Sequence, residues 1–426
     1  MFQQVSVNLG NLLLSLSDAM DLADPSIALH QQRVAFIAWE LGKAAALPTD
    51  AVERLFIAGL LHDAGALSLE EKITIHNFEG VDAEFHCRRS EALLSTVSWL
   101  RPAAGIVRHH HRAWNTWNES IGTPLVLESQ LLVLADHLER FVNRKVFILH
   151  QDEQLAAKFA SLSGTELHPD VIDLFHAIAR REEFWLDMTS PRLYSLLLNH
   201  GPLRRVEIDI AAISSIGELF RNIIDFRSRF TSTHSSGVAE CAAALARLAG
   251  FSDAEVDLMR VAGNFHDIGK LAVPNSILDK PDKLTKEEFA VIRQHTYFTY
   301  SIMNTIGGLQ QIAEWAAFHH ERLDGSGYPF HHLGGKINTG ARIMAVADIF
   351  TAMAEDRPYR KGMQRDEIEK ILNHQGRKSF IDPRFVDILF QNYHDILVKV
   401  KAKQDSARHY YELQVQGMHQ LASSAG

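Results

Sequence analysis

Residues 59–67 read GLLHDAGAL and residues 263–271 read GNFHDIGKL. Each stretch sets a His-Asp pair, His62-Asp63 or His266-Asp267, in the same frame of glycines and leucine. Imidazole and carboxylate are the usual ligands of first-row transition metals. The chain holds 23 histidines, several of them clustered: His109-His110-His111, His319-His320 and His331-His332. Aligning the two His-Asp pairs exposes an internal repeat. His30 precedes the first pair and His234 the second by the same 32 residues. Downstream come His86 and His295, then His109-His110 and His319-His320, then Asp136 and Asp348, in the same order.

The second copy offers His234, His266, Asp267, His295, His319, His320 and Asp348. Five imidazoles and two carboxylates exceed what one ion can use while leaving room for water. Two ions can use them, with Asp267 as a bridge through its two oxygens. Paired ions polarise a phosphoryl oxygen and generate hydroxide at neutral pH. Mixed His/carboxylate ligation suits Fe, Mn or Zn better than Mg or Ca. Lys270 follows His266 by four residues, which puts both on one face if the helix continues. A lysine beside cations calls for an anion between them, and a substrate phosphate fits that demand.

HDIGK, HHERLDGSGYP at 319–329 and DRPYR at 356–360 together resemble the HD-GYP family of HD-domain phosphohydrolases, most closely over about 231–362. The resemblance implies an all-α fold and hydrolysis of cyclic dinucleotides, cyclic di-GMP or 3',3'-cyclic GMP–AMP, to linear dinucleotides by a metal-bridging hydroxide. It implies two divalent metals, Fe or Mn, held by the seven residues above. Asp267 and Lys270 take the catalytic roles. Lys270, Tyr328, Arg357 and Arg360 are the expected substrate contacts, and Gly327-Tyr328-Pro329 shapes the entrance. Asp324 reads as a turn-former. Three-metal members carry glutamate where this chain has Phe230, so two metals are expected. The slight preference falls on 3',3'-cyclic GMP–AMP as an accepted substrate. The alternative is a non-catalytic module that senses a cyclic dinucleotide.

The first copy keeps His30, His62, Asp63, His86, His109, His110 and Asp136, which could still hold metal. It has Ala66 in place of the lysine and lacks both the GYP loop and the RPYR segment. It therefore reads as a degenerate, structural or dimerising domain. Trp114 and Trp117 read as packing residues, with a partner surface or a base pocket as the rival. Cys87 reads as an inert buried thiol.

The elements that must position these residues are helices. Apolar residues recur at three- and four-residue intervals over 33–47, 51–61, 125–142, 238–248, 285–306 and 340–354. Ser252/Glu255 and Thr285/Glu288 form capping-box patterns. Turn-rich loops fall at 272–284 and 323–337. The expected organisation is all-α, two HD-like helical bundles from one duplication. A degenerate domain spans 1–150, a helical connector 151–225, a catalytic domain 226–405 and a tail 406–426. Net charge is −9, which disfavours broad DNA binding. Two cysteines fit a reduced compartment. No apolar run reaches 18 residues, and the N-terminus has no basic residue before its apolar part. A cytoplasmic protein without a membrane span is expected, with a homodimer as the candidate assembly.

Overall fold

The computed structural model describes residues 6–22, 24–77, 83–227, 233–356 and 361–422. The chain divides into two compact units, one of Asn8–Glu207 and the other from Ile208 onward. The architecture is all-α. Among the described residues the only strands are Val7–Asn8 and Glu207–Ile208, two residues each. Six helices of the N-terminal unit correspond in order to six of the C-terminal unit. Leu9–Asp21, His30–Ala44 and Thr49–Leu61 answer to Ile210–Phe226, His234–Leu248 and Asp253–Phe265. Ala83–Ser95, Arg101–Val107 and Pro124–Phe141 answer to Lys286–Asn304, Gln310–Ala317 and Thr339–Ala354.

Local sequence explains where these helices start and stop. Both capping boxes form: Ser252 with Glu255, and Thr285 with Glu288, satisfy each other's backbone donors. The alanine-rich run of His234–Leu248 ends where Gly250 adopts φ 88°, a left-handed conformation that costs glycine little. His30 and His234 each open a helix, and His62 and His266 each close one. These four ligands thus sit at helix ends, whereas His295, Asp348 and Asp136 project from within their helices.

The helix carrying His266 does not continue to Lys270. It ends at Phe265, and a 3-10 turn follows at Ile268–Ala272. A hydroxyl takes over the backbone groups at the break. The Thr299 hydroxyl donates to the His266 carbonyl at 3.0 Å and accepts from the Gly269 N–H at 3.1 Å. Ser90 repeats this in the N-terminal unit, donating to the His62 carbonyl and accepting from the Gly65 N–H, both at 2.8 Å. The turn packs backbone to backbone on the next helix. A Cβ on Gly269 would lie 1.9 Å from the His295 carbonyl oxygen, and one on Gly65 2.4 Å from that of His86. One turn earlier, Gly59 and Gly263 let their helices approach Ala35 and Ala239, at 2.6 and 2.5 Å from a built Cβ to Cα.

Buried side chains between the helices form the cores, Phe36, Leu41, Leu55 and Phe56 in one unit and Val238, Met259, Phe265 and Phe350 in the other. Residues 151–225 fall on both sides of the boundary. Pro169–Ala179 and Glu182–Met188 pack within the N-terminal unit, where Phe184 stacks on Phe36 with ring centroids 5.8 Å apart. Ile210–Phe226 belongs to the C-terminal unit.

Overpacking a close approach between backbones destabilises by about 3 kcal/mol. Gly269→Ala is therefore expected to lower the thermal midpoint of the full chain by several degrees. Gly307→Ala, with open space around its Cβ position, serves as the control. Equal melting of both variants in calorimetry would contradict this packing.

Candidate metal centre

In the C-terminal unit all seven expected ligands converge. His266, His295 and His319 share one arrangement. Their Nδ1 atoms lie 2.8, 2.7 and 2.6 Å from the carbonyl oxygens of Gly263, Ile292 and Ala316, each three residues earlier. A carbonyl only accepts, so each Nδ1 carries the proton and each Nε2 is left with a lone pair. Those Nε2 atoms meet. That of His266 is 3.2 Å from Asp267 Oδ2, that of His295 is 3.4 Å from Asp267 Oδ1, and those of His295 and His319 are 3.3 Å apart. His266 Nε2 is buried without a hydrogen-bond partner. Its closeness to Asp267 is thus a contact between two acceptors rather than an ion pair.

The remaining ligands close the set. His234 Nε2 lies 3.0 Å from Asp348 Oδ1, and His320 Nδ1 lies 3.9 Å from Asp348 Oδ2. Ligand atoms of His234, His266 and Asp348 fall within 4.8 Å of one another, as do those of His295, His319 and His320. Burial chiefly pushes the His295 imidazole down to about 3 and lowers His319 and His320. Burial works to raise Asp267, but the Lys270 ammonium beside it holds it well below the usual carboxylate range. Burial likewise opposes ionised Asp348, and the hydrogen bond from His234 outweighs it. His234 is the exception: against burial, Asp348 and Glu355 raise it to about 10. A proton there stands in for a cation between two carboxylates. Neutral imidazoles, ionised carboxylates and facing lone pairs are what a divalent transition metal requires, and the residues fit one.

Sequence reasoning missed several supports. Glu355 Oε2 lies 3.6 Å from His234 Nδ1, and Glu355 Oε1 accepts from the Thr233 hydroxyl. Buried Glu321 folds the glycine-rich loop, accepting from the Phe330 N–H at 2.7 Å and the His332 N–H at 2.9 Å. Its signal was a carboxylate directly after His319-His320. Asp324 is the expected turn-former, accepting from the Ser326 N–H at 2.9 Å. Gly327 is required: a Cβ there would lie 2.3 Å from the Arg322 nitrogen.

Lys270 Nζ donates to Asp267 Oδ2 at 2.5 Å. Tyr328 tilts over His320 at 5.0 Å between centroids. A cavity of about 420 Å³ opens beside Tyr328 and His320, lined also by Phe289, Arg293, Arg322 and Phe380 among others. The Arg293 guanidinium lies 5.7 and 5.9 Å from the Phe289 and Tyr328 rings. Arg357, Arg360 and Phe230 lie outside the described residues.

The N-terminal unit assembles a second cluster, with one correction. The imidazoles that join it are His110 and His111, not His109. His110 repeats the geometry of His319, with Nδ1 2.6 Å from the Val107 carbonyl and Nε2 3.0 Å from His86 Nε2. His111 Nδ1 lies 3.9 Å from Asp136 Oδ2. The His109 ring points away and packs edge-on to Trp117, 4.9 Å between centroids. The interval from His86 to His110 equals that from His295 to His319, a signal present in the sequence. His30, His62 and Asp63 bring ligand atoms within 4.8 Å of one another. Here Arg140 Nη1 donates to Asp136 Oδ2 at 2.7 Å, and Gln31 Nε2 to Asp63 Oδ2 at 3.3 Å. Ala66 is buried. Cys87 is buried with Sγ 3.5 Å from His110 Nδ1. Trp114 packs on His168, and Trp117 lies under the Arg112 guanidinium.

Family comparison agrees with this picture. A profile described as "HD domain" matches residues 218–385, and another of the same description matches 27–140. The chain is 30% identical over 397 residues to "3'3'-cGAMP-specific phosphodiesterase 1" of Vibrio cholerae, covering 91% of this chain and 92% of that protein. It is 38% identical over 170 residues to "Cyclic di-GMP phosphodiesterase response regulator RpfG" of Xanthomonas campestris, covering 39% of this chain and 45% of that one. A crystal structure of a cyclic GMP-AMP-specific phosphodiesterase of V. cholerae, V-cGAP3, shares the fold at 24% identity. Its TM-score is 0.64, over 91% of this chain and 98% of that one. No helix among the described residues is long and apolar enough to cross a membrane. With both units matched, the chain belongs to the metal-dependent HD-domain cyclic-dinucleotide phosphodiesterases.

Proposed function

We propose that the C-terminal unit hydrolyses cyclic dinucleotides to linear dinucleotides, as a member of the HD-GYP subgroup, and that the N-terminal unit is its degenerate duplicate. The observation that carries this reading is the convergence of seven ligand types, with Lys270 on Asp267 and Tyr328 over His320. His234, His266, Asp267, His295, His319, His320 and Asp348 would hold two divalent ions, Fe or Mn. Such ions supply Lewis acidity at a phosphoryl oxygen and acidify water. The chain's own residues do the rest. Lys270 sits where a phosphate oxygen can exchange with Asp267 for its ammonium, and so offsets charge developing on phosphorus. Phe289, Tyr328 and Arg293 offer faces on which a base can stack. Buried Glu321 keeps the loop that presents Tyr328 in place.

The substrate reading favours 3',3'-cyclic GMP–AMP. The relative named for that nucleotide matches across both units, whereas the cyclic di-GMP relative above matches 39% of this chain.

Chromatography of products from both nucleotides, with Mn or Fe supplied, tests the activity. Intact 3',3'-cyclic GMP–AMP and cyclic di-GMP after prolonged incubation would end the enzyme reading. His266→Ala/Asp267→Ala is expected to abolish turnover and lower the metal content. His62→Ala/Asp63→Ala should leave turnover within about threefold, the scale of a change under 1 kcal/mol. Equal loss of turnover in both double variants, with folding intact, would refute the assignment of roles.

Two single variants separate chemistry from binding. Lys270→Ala is expected to cut kcat about 100-fold, the scale of one lost donor to developing charge, with metal content unchanged. Arg293→Ala is expected to raise KM about tenfold with kcat little altered. A Lys270→Ala enzyme with wild-type kcat would remove that residue from the reaction.

A further inference from the structure

The N-terminal unit holds a second cavity, of about 380 Å³, which meets its His-Asp cluster through Glu139. Arg33, Arg144 and Lys145 face it with Glu139, and Val146, Phe147 and Met188 supply apolar wall. Three cations against one carboxylate leave the cavity positive. Glu139 cannot neutralise it. Its Oε2 is taken by His30 Nδ1 at 2.6 Å, leaving Oε1 to serve both Arg33, at 3.2 Å, and Arg144. Among the described residues, Arg33 and Arg144 spend further donors only on the carbonyls of Ala28 and Ser26. A guanidinium carries about five N–H donors, so most remain. Lys145 is exposed and has no ion-pair partner among the described residues.

The wall is held rigid. Phe147 is 57% exposed and Val146 43%, unusual for large apolar side chains on a fixed turn. Buried Gln151 fixes that turn from beneath. Its amide donates to the carbonyls of Asn143 at 3.0 Å and Val146 at 2.9 Å, and its Oε1 accepts from the Asn143 N–H at 2.8 Å. Such pre-ordering lowers the entropy cost of binding.

We propose that this cavity binds a small phosphorylated molecule bearing a planar ring, of about the size of a nucleoside monophosphate. Arg33, Arg144 and Lys145 take the phosphate, and the Phe147 face takes the ring. The volume of about 380 Å³ lies within the range of ligand pockets, about 300–1,000 Å³, and accommodates a mononucleotide.

Isothermal titration of the full chain with GMP, AMP and inorganic phosphate tests this. Both nucleotides are expected to bind, and phosphate alone about tenfold more weakly, one factor of ten being about 1.4 kcal/mol. Lys145→Glu and Phe147→Ala, both at exposed positions, should each weaken nucleotide binding about tenfold, while Arg293→Ala leaves it unchanged. Binding that survives Lys145→Glu and vanishes in Arg293→Ala would put the ligand in the other unit and overturn the proposal. So would no heat at millimolar nucleotide. Phosphate binding as tightly as GMP would remove the role of Phe147.

Discussion

A buried carboxylate surrounded by imidazole lone pairs governs the C-terminal unit. Asp267 has His266 Nε2 near one oxygen and His295 Nε2 near the other, while Lys270 holds the first. An ionised group removed from water costs several kcal/mol unless it is paired. Here one ammonium pairs it, and the imidazoles cannot help, because their protons are committed to backbone carbonyls. The cluster therefore has more lone pairs than positive charge to satisfy them. That surplus makes cation binding a stabilising event and couples metal affinity to the folded arrangement.

The two units solve the same problem with a displaced cation. In the C-terminal unit the fixed positive side chain sits on the carboxylate of the His-Asp pair, as Lys270 on Asp267. In the N-terminal unit it sits on the other carboxylate, as Arg140 on Asp136, and Asp63 has the amide of Gln31. A flexible ammonium can exchange its carboxylate for a phosphate. Arg140 cannot do this as readily, since it also donates to the carbonyls of Ile75 and His76. The shift leaves the fold's electrostatics satisfied while removing the movable cation from the His-Asp pair.

Much of this was legible in the sequence because ligand type and order survive translation into geometry. The helical period, both capping boxes and the stations His234 to Asp348 all reappear. What failed was register and local backbone. Three adjacent histidines offer two registers, and the equal interval from His86 to His110 and from His295 to His319 picks the one that the bond from His110 to the Val107 carbonyl shows. The spacing left open whether the helix continues to Lys270; it stops because the Thr299 hydroxyl takes the backbone groups the helix would have used. Glu355 was invisible because it reaches His234 from the far end of another helix, a long-range contact with no local pattern.

The hydroxyl clamp shows which parts of the repeat answer to folding and which to chemistry. Ser90 and Thr299 lie four residues after His86 and His295, and Gly65 and Gly269 follow their His-Asp pairs identically. Both pairs survive in the unit that lost its lysine and its GYP loop. They are needed wherever two backbones approach this closely, whether or not a phosphate is held nearby. Asp21 and Asp225, each nine residues before its histidine, belong to the same class: both are buried, and burial pushes both up to about 7. Lys270, Tyr328 and Arg293 belong to the other class, because each faces the cleft or the carboxylate beside it. A duplicate can shed the second class without unfolding, and the N-terminal unit has the architecture such a loss leaves behind.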